Sequence, residues 1–397
     1  MTTNKNHNSP NVPNLRFPEF LGEWEKIKLK DVCTFYSGGT PSSSNKDYYT
    51  GDIPFIRSGE LHESCTELFI SKDGLNNSSA KIVHKGDLLL ALYGATSGDI
   101  AISQIEGAIN QAILCINTEQ SKEYIKAVWQ KHVQKILQTY LQGGQGNLSA
   151  DIVKNISFYF ALSKEQDKLA NFIRLLDERI ATQNKIIEDL KLLKSAIIDY
   201  IFNNDVLSVR KRIHLSDVAT KVTQKNTNNH VSNVLSNSAN QGIIPQSEVF
   251  DREIANEDNT SNYFVISQND FVYNPRKSAT APYGPINRYN GRTDGVISPL
   301  YLCFRSHNIN VEYLGWYFKS NSWYKYVDQN GDTGVRHDRV SIKDEIFFSM
   351  PLFIHNADEQ IEIAKRLNKT ESFVKQEEQY LFLLESQKLY LLQHLFI

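Results

Sequence analysis

The side chains best suited to a chemical task lie between residues 276 and 292, where cationic and aromatic residues are interleaved and no acidic residue occurs. The cationic and aromatic residues of this stretch are Arg276, Lys277, Tyr283, Arg288, Tyr289 and Arg292. Lysine and arginine neutralise phosphate groups, and arginine also donates paired hydrogen bonds to guanine. The stretch therefore favours a nucleic-acid contact, with an ordinary solvated surface as the alternative.

Two glycine-containing loops occupy equivalent places in the two halves of the chain. In residues 143–147, the glycines allow a close approach of the backbone, while Gln145 and Asn147 have amide groups that can bind base edges. The first loop lacks the Gly-Lys-Ser/Thr ending of a phosphate loop, so nucleotide binding is not expected there. The loop at residues 331–339 carries the candidate side chains Thr333, Arg336, His337 and Arg339.

The sequence gives no indication of catalytic or metal chemistry. The histidines show no HExxH-type spacing, and the acidic residues form no repeated cluster of the nuclease type. Asn274-Pro275-Arg276-Lys277 begins like the Asn-Pro-Pro-aromatic motif of adenine methyltransferases, but Arg276 breaks the motif and no glycine-rich cofactor fingerprint precedes it. No metal or cofactor is therefore expected in this chain. The cysteines lack a CxxC pair, which predicts reduced thiols and a cytoplasmic protein: Cys33, Cys65, Cys115 and Cys303.

Composition limits the class of protein further. The 397 residues, of which 41% are hydrophobic, suffice for two or three packed domains. A formal net charge of -2 argues against indiscriminate coating of nucleic acid or membrane but permits local basic faces. The most apolar run, Leu88–Leu92, is far too short to cross a bilayer, so no membrane segment is expected.

One helical pattern occurs twice, in residues 164–202 and again 194 residues later in residues 358–396. Its apolar residues recur at alternating steps of four and three, which is typical of a coiled-coil seam. Polar residues interrupt both copies at the same two steps, as Gln183 with Glu377 and as Lys194 with Lys388. The predicted seam residues are Leu169, Ile173, Leu176, Ile180, Ile187 and Leu190 in the first copy and Leu367, Val374, Leu381 and Leu384 in the second.

Such a helix needs a partner, since an isolated stripe of leucine and isoleucine is costly to leave in water. A helix of about 38 residues is roughly 57 Å long. Antiparallel pairing of the two copies would hold two globular heads at opposite ends of a rod. Gln183 and Glu377 would then meet near the centre and fix the register, unless both point away from the contact.

The globular regions that precede the two helices also match in the order of their landmarks, as when Glu123-Tyr124-Ile125 returns as Glu312-Tyr313-Leu314. Both mix short strands with helices, which predicts a mixed α/β (α+β) fold with an internal pseudo-two-fold repeat. The predicted organisation is a flexible tail at 1–16, a first domain at 17–162, a helix at 163–203, a linker at 204–212, a second domain at 213–356 and a second helix at 357–397.

Several segments, taken in order, resemble one known family. They are Leu15–Phe20, Gly39–Ser42, Tyr49–Ile56, Ser78–Lys81, Leu90–Thr96, Asn110–Ala112, and the helix starts Glu165-Gln166 and Glu359-Gln360. Together with the duplicated helices, they make nearly the whole chain similar to the specificity subunit of type I restriction–modification systems, the HsdS family.

The resemblance implies two target recognition domains joined by an antiparallel coiled coil, each reading one part of a split, asymmetric double-stranded DNA target. It also implies a non-catalytic bacterial subunit that docks two modification subunits, which methylate adenine with S-adenosylmethionine. Two restriction subunits, which use ATP and Mg, would join the complex. This chain would bind none of these cofactors. The alternatives are a chain with its own methyltransferase or nuclease activity, and a two-headed coiled-coil adaptor for a sugar or peptide.

On this reading, base discrimination requires arginine or lysine for guanine and asparagine or glutamine for adenine. In the first domain the expected DNA-binding residues are Lys46, Tyr48, Arg57, Ser58, Lys81, Thr96, Gln145 and Asn147. In the second domain they are Arg276, Lys277, Tyr283, Arg288, Arg292, Thr333, Arg336, His337 and Arg339.

Overall fold

The structure is a computed structural model that describes residues 2–3, 11–141, 147–203, 210–248, 260–332 and 338–397. The chain divides into two compact units. Unit 1 comprises Met1–Lys185 and Gln379–Ile397, and unit 2 comprises Ile186–Glu378. The division falls within the two long helices, so each unit contains one sheet-rich domain and a segment of each helix.

Unit 1 begins with short strands and ends its globular part at the first long helix. Its strands are β1 (Thr2–Thr3), β2 (Leu15–Arg16), β3 (Glu25–Lys28), β4 (Cys33–Ser37), β5 (Ile53–Ile56), β6 (Phe69–Ile70), β7 (Lys81–Val83), β8 (Leu88–Ala91), β9 (Ile100–Ile102), β10 (Gly107–Ile109), β11 (Ile113–Thr118) and β12 (Ser157–Phe160). Its helices are α1 (Leu29–Val32), α2 (Lys72–Asn76), α3 (Lys122–Leu141), α4 (Ala150–Asn155), the start of α5 (Ser163–Asn203), and 3-10 turns at Lys46–Tyr49 and Ser58–Glu60.

Two four-stranded sheets form the body of unit 1, with the strand orders β6-β5-β10-β7 and β4-β11-β8-β9. The pair β5 and β10 is parallel, and the other neighbours in both sheets are antiparallel. β8 is buried along its whole length, which explains its continuous apolar sequence. Helix α3 packs over the sheets and contributes the fully buried Tyr124 and Trp129 to the core.

Unit 2 repeats this plan. Its strands are β13 (Lys211–His214), β14 (Ala219–Lys221), β15 (Val234–Ser238), β16 (Gly242–Pro245), β17 (Phe264–Ile266), β18 (Phe271–Tyr273), β19 (Ile286–Arg288), β20 (Gly295–Ile297), β21 (Leu302–Ser306) and β22 (Pro351–Ile354). Its helices are α6 (Val311–Tyr317), α7 (Tyr324–Asn330), α8 (Asp344–Phe348), the start of α9 (Ala357–Leu395), and 3-10 turns at Leu215–Asp217 and Gln246–Glu248.

The sheets of unit 2 have the orders β16-β15-β20-β17 and β14-β21-β18-β19, which match those of unit 1 strand for strand. The match includes the parallel pair, now β15 and β20, and the two-stranded sheet β13-β22, which corresponds to β3-β12. The predicted mixed α/β class and internal repeat are therefore confirmed.

Within unit 1, the segments of α5 and α9 run antiparallel. Arg179 donates to the hydroxyl of Tyr380, and Lys388 donates to Asp177 at 2.6 Å. The lower-numbered residue of α5, Asp177, thus pairs with the higher-numbered residue of α9, Lys388, as expected for antiparallel helices.

Within unit 2, the same helices pair through Lys191 with Glu378 at 2.6 Å and Lys194 with Glu371 at 2.5 Å, and they are again antiparallel. Lys388 and Lys194 are the polar residues that interrupt both seams, and their partners Asp177 and Glu371 are also 194 residues apart. The lysine interruptions therefore make equivalent ion pairs in the two units.

None of the predicted seam residues is exposed. Leu169, Ile173, Ile187, Leu367, Val374 and Leu384 are buried, and Leu176, Ile180, Leu190 and Leu381 are half-buried. Gln183 is buried in unit 1, and Glu377 is half-buried in unit 2. Their predicted meeting stays a prediction.

A phenylalanine at the end of each long helix, or just beyond it, enters a domain core. In unit 2, Phe202 at the end of α5 packs with a ring-centroid distance of 5.3 Å against Tyr313. In unit 1, Phe396, just beyond α9, lies 5.5 Å from the ring of Tyr124 and also contacts Trp24. Since Phe202 and Phe396 are 194 residues apart, the repeat extends to the anchoring of the helix ends.

The predicted flexible tail at 1–16 extends too far into the chain. Arg16 is buried and donates to both carboxylate oxygens of Glu165, at 2.8 and 2.7 Å, near the start of α5. A segment rich in Asn, Pro and Ser is typical of a flexible tail. The ion pair of Arg16 with Glu165 leaves no periodic pattern in the sequence, so the sequence did not indicate that Arg16 is held in place. None of the helices that the structure describes is both long and apolar enough to cross a membrane.

Candidate functional site

In unit 1, the connections at one end of both sheets converge. Ile109, the last residue of β10, pairs with Ile56 at the end of β5 and with Lys81 at the start of β7. The short turn after β10 leads to the start of β11, where β4 and β8 end. We call this end the loop face of unit 1 and define it as residues 38–41, 57–58, 81, 93–98, 110–112 and 147.

Five of the predicted DNA-binding residues of the first domain lie on this loop face: Arg57, Ser58, Lys81, Thr96 and Asn147. Asn147 is brought there because the next residue, Leu148, donates from its backbone N–H to Leu92 O at 3.0 Å. Lys46 and Tyr48 do not join them. Their 3-10 turn packs at the opposite end of β5, where the N–H of Ser71 donates to Tyr48 O at 2.8 Å.

The guanidinium of Arg57 is already occupied. It donates to both carboxylate oxygens of Glu60, at 3.0 and 3.1 Å, and to Glu67 at 2.6 Å. The hydrogen bonds from Glu60 and then Glu67 raise the pKa of Arg57. These two carboxylates more than neutralise the positive charge of Arg57. Among the predicted cations of the loop face of unit 1, Lys81 is exposed and therefore remains available to bind phosphate or a base.

Two residues outside the predicted set belong to the same face. The hydroxyl of Thr40 donates to Oε1 of Gln111 at 2.7 Å, and both side chains are exposed. The N–H of Gly38 donates to Asn110 O at 3.2 Å, and a Cβ at Gly38 would meet Ile109 O at 1.7 Å, so only glycine allows this approach. The sequence did mark the segments of Thr40 and Gln111, since both are among those that resemble the known family. It did not show that the two segments lie next to each other in the fold.

Unit 2 has the equivalent loop face, defined as residues 274–278, 298–301 and 338–340. The N–H of Lys277 donates to Asp338 O at 2.8 Å, and Arg276 forms a backbone bridge with Arg339. Nε of each arginine lies 4.0 Å from the carboxylate of Asp338. Two predicted cations, Arg276 and Arg339, therefore lie near one carboxylate. Together with Lys277 they border a cleft of about 290 Å³.

The two loop faces share backbone hydrogen bonds as well as topology. In unit 2, Val340 N–H donates to Pro275 O at 2.9 Å, as Leu148 N–H donates to Leu92 O in unit 1. The residues that precede these donors are Arg339 and Asn147. The same backbone position thus carries a cation on one face and an amide on the other.

The basic and aromatic residues between 276 and 292 do not form one surface. Arg276 follows the end of β18, whereas Arg288 pairs with Phe271 at the start of that strand. Arg292 is exposed in the connection after β19, again away from the loop face. The chain crosses the sheet between these residues, so closeness in sequence does not place their side chains together.

The aromatic residues of this stretch have structural contacts. Tyr283 donates to Asp328 at 2.9 Å, which raises the pKa of Tyr283, and its ring packs against Tyr324. Tyr289 is buried and donates to Thr293 O at 2.8 Å. The predicted residues Gln145, Thr333, Arg336 and His337 lie outside the described residues.

The described parts of the chain contain no group of three or more His, Cys, Asp or Glu side chains placed to hold a metal ion. All four cysteines are free, and Cys65 is the exposed one. Burial raises the pKa of Cys115 to about 11 and that of Cys303 to about 12.

Comparison with known proteins matches residues 22–192 to a family model, the type I restriction modification DNA specificity domain. The chain is 28% identical over 196 residues to the type I restriction enzyme MjaIX specificity subunit of Methanocaldococcus jannaschii, covering 45% of this chain and 44% of that protein. It is 23% identical over 207 residues to the MjaVIII specificity subunit of the same organism, covering 51% and 46%. The chain spans less than half the length of these curated relatives.

Solved structures extend the likeness in fold to nearly the whole chain. The type I restriction–modification S subunit from M. genitalium matches with a TM-score of 0.57 at 14% identity, covering 97% of this chain and 99% of that one. A chain from work on complex assembly and conformational transition of the type I R-M system matches with a TM-score of 0.56 at 14% identity, covering 93% and 96%.

Proposed function

We propose that the chain is a type I restriction–modification specificity subunit of the HsdS family, because a family model, curated relatives and solved structures are all similar to it. We further infer that it reads a bipartite, asymmetric DNA target with one loop face for each half-site. The observation that carries this proposal is the pair of loop faces. They have one topology and one pattern of backbone hydrogen bonds, yet they present different side chains. A repeated scaffold with two different surfaces suits a target whose halves differ in sequence.

The chemistry of each face favours different bases. On the loop face of unit 1, Gln111 is exposed and its Oε1 is oriented by Thr40, so the amide is prepared for the paired hydrogen bonds that glutamine makes to adenine. On the loop face of unit 2, Arg276 and Arg339 suit guanine or the adjacent phosphates. We propose that unit 2 contributes more of the salt-dependent affinity, because its face has the larger excess of cations.

We further propose that the chain is a non-catalytic scaffold in the bacterial cytoplasm. Two modification subunits would supply S-adenosylmethionine and methylate adenine, and two restriction subunits would supply the ATP- and Mg-dependent steps. Exposed apolar side chains on both long helices support docking of protein partners, since such surface is costly in water. They include Leu192 and Leu193 in unit 2 and Phe382 and Leu383 in unit 1.

The proposal is tested by expressing the chain with its modification subunit and sequencing the methylated host DNA. We expect one split motif, both halves of which change when the chain is replaced. Arg276→Gln should change the bases accepted in one half only, and Gln111→Ala should change the other half. Arg292→Gln is the matched control, because Arg292 is exposed but lies away from the loop face.

A contiguous motif, or a change in both halves caused by Arg276→Gln alone, would contradict one face for each half-site. A chain with its own methyltransferase activity is tested by titrating the purified chain with S-adenosylmethionine. Saturable binding in the absence of a modification subunit would overturn the non-catalytic part of the proposal.

A further inference from the structure

Unit 2 contains a second cleft, of about 360 Å³, that shares no lining residue with the cleft of the loop face. It lies where the edge strand β19 approaches α6 and the first part of α9. Three cations line it, Arg288 from β19, Lys319 from just after α6 and Lys375 from α9, together with the indole of Trp316. It is therefore a site of mixed polar and aromatic character outside the proposed base-reading surface.

Arg288 is short of partners in this cleft. Its side chain is 21% exposed, and burial lowers its pKa. The closest carboxylate oxygen, on Glu312, is 4.0 Å away, and the guanidinium donates no hydrogen bond to any residue in the described ranges. Glu312 instead accepts from the amide of Asn368 at 2.6 Å. A half-buried arginine without a close acceptor indicates that an acceptor comes from elsewhere.

Unit 1 has a lysine at the equivalent place. There Lys126 of α3 bridges Glu123 at 3.1 Å and Asp177 at 2.9 Å. The corresponding residues of unit 2 follow from the repeats of Glu123-Tyr124-Ile125 and of the long helix. Glu312 corresponds to Glu123, Gly315 to Lys126 and Glu371 to Asp177. Unit 2 therefore has a glycine at the position where unit 1 has the bridging lysine.

Gly315 leaves this space open. It lies inside α6, where glycine is less favourable than alanine, and a Cβ built there would meet no atom within 4 Å. The missing side chain is therefore not explained by crowding. The two carboxylates offset these cations only in part. Glu371 lies 2.5 Å from Lys194 and 3.9 Å from Lys375, and Glu312 lies 4.0 Å from Arg288, so the three cations of the cleft and Lys194 outnumber the carboxylates.

We propose that this cleft binds a phosphate group, held by Arg288 with Lys319 and Lys375. A guanidinium fork matches two phosphate oxygens, and an ammonium group adds a point charge. Trp316 offers an aromatic face beside the cations, which suits a nucleotide. The phosphate comes either from a free nucleotide or from the backbone of a nucleic acid, and the experiment separates these sources.

The test uses the full chain and follows tryptophan fluorescence while AMP, inorganic phosphate or a short duplex without a target motif is added. Trp316 is half-buried in the cleft, whereas Trp24, Trp129 and Trp323 are buried in the cores. We expect a saturable change that is absent in Trp316→Phe. Arg288→Gln should weaken binding about tenfold or more, since a charge-assisted hydrogen bond is lost.

Gly315→Glu is the second variant, since a carboxylate in the open space at this position should repel a phosphate group and abolish binding. Arg212→Gln, an exposed arginine on β13, is the matched control and should bind as the parent does. AMP binding without duplex binding identifies a free nucleotide, and the reverse identifies the backbone.

The proposal is overturned if none of the three probes binds, or if binding persists unchanged in both Arg288→Gln and Gly315→Glu. An Arg288 that merely stabilises Glu312 would give this second result, with a loss of stability and no loss of phosphate affinity. Neither result bears on the half-site changes expected at the loop faces.

Discussion

Replacing Asp177 by asparagine tests whether the polar residues along the two long helices stabilise their pairing. Asp177 accepts from Lys126 at 2.9 Å and from Lys388 at 2.6 Å, and its side chain is 24% exposed. Asparagine keeps the shape of the side chain and removes its charge. Lys388 then loses the carboxylate it contacts, whereas Lys126 keeps Glu123 at 3.1 Å.

The expected loss follows from these contacts. A hydrogen bond to a charged group contributes about 1.5–3 kcal/mol, and partial exposure reduces this value. With one such bond lost and one weakened, Asp177→Asn should lower the free energy of unfolding by about 2–3 kcal/mol. The equivalent change Glu371→Gln should cost less, about 1–2 kcal/mol, because only Lys194 makes a close contact there.

The pH dependence has a definite sign. Burial acts to raise the pKa of Asp177, but hydrogen bonds from Lys388 and then Lys126 outweigh it and hold this pKa below its ordinary value. The stabilisation is therefore fully present above the ordinary aspartate value of about 3.9 and is lost as the pH falls through the lowered one. The difference between the parent and Asp177→Asn should shrink in the same range.

Urea unfolding measures these differences, and hydrogen exchange of the helix peptides in unit 1 reports where protection is lost. Glu178→Gln is the control, because the neighbouring Glu178 forms an exposed pair with Arg174 that should contribute less than about 0.5 kcal/mol. If Asp177→Asn cost no more than this control at pH 7, or if its effect were the same at pH 3, the carboxylate would not stabilise the helix pair.

Three further predictions concern other parts of the chain. Phe202→Ala should destabilise unit 2 by about 3–5 kcal/mol, and the 41% exposed Phe353 should cost far less when replaced by alanine, with hydrogen exchange localising both effects. Arg276→Gln should lower the slope of log affinity against log salt for DNA by about 0.9, and an unchanged slope would remove Arg276 from the phosphate contacts. A maleimide at pH 8 should label one thiol in the folded chain, and Cys65→Ser should abolish the labelling, since the other three cysteines are buried.

The repeat and the long helices could be predicted because they leave periodic signals. A seam of apolar residues must recur every three or four positions to stay on one side of a helix, and a duplicated seam must do so twice. Even the interruptions at Lys194 and Lys388 were informative, because each pairs with a carboxylate on the antiparallel helix. The seam and its interruptions are encoded at fixed spacing, so sequence alone identifies them, whereas the carboxylate partners of the two lysines were seen only in the structure.

The loop faces could be predicted only in part, because their geometry depends on strand register. Lys46 and Arg57 are close in sequence, but they lie at opposite ends of β5. Thr40 and Gln111 are far apart in sequence and are bonded in the structure. The neutralisation of Arg57 by Glu60 and Glu67 was also hidden, since an acidic residue three positions away reads equally well as a solvated surface charge.

The contacts that build each unit are separate from the residues proposed to read DNA. Phe202, Tyr313 and the Lys194–Glu371 pair lie at the helix side of unit 2, whereas Arg276 and Arg339 lie on its loop face. Free-energy changes at sites without shared partners are close to additive. On the proposed function, a substitution on a loop face should therefore change the bases that are read with little effect on how the helix ends are anchored. Each half of the proposed split target could then change independently of the other.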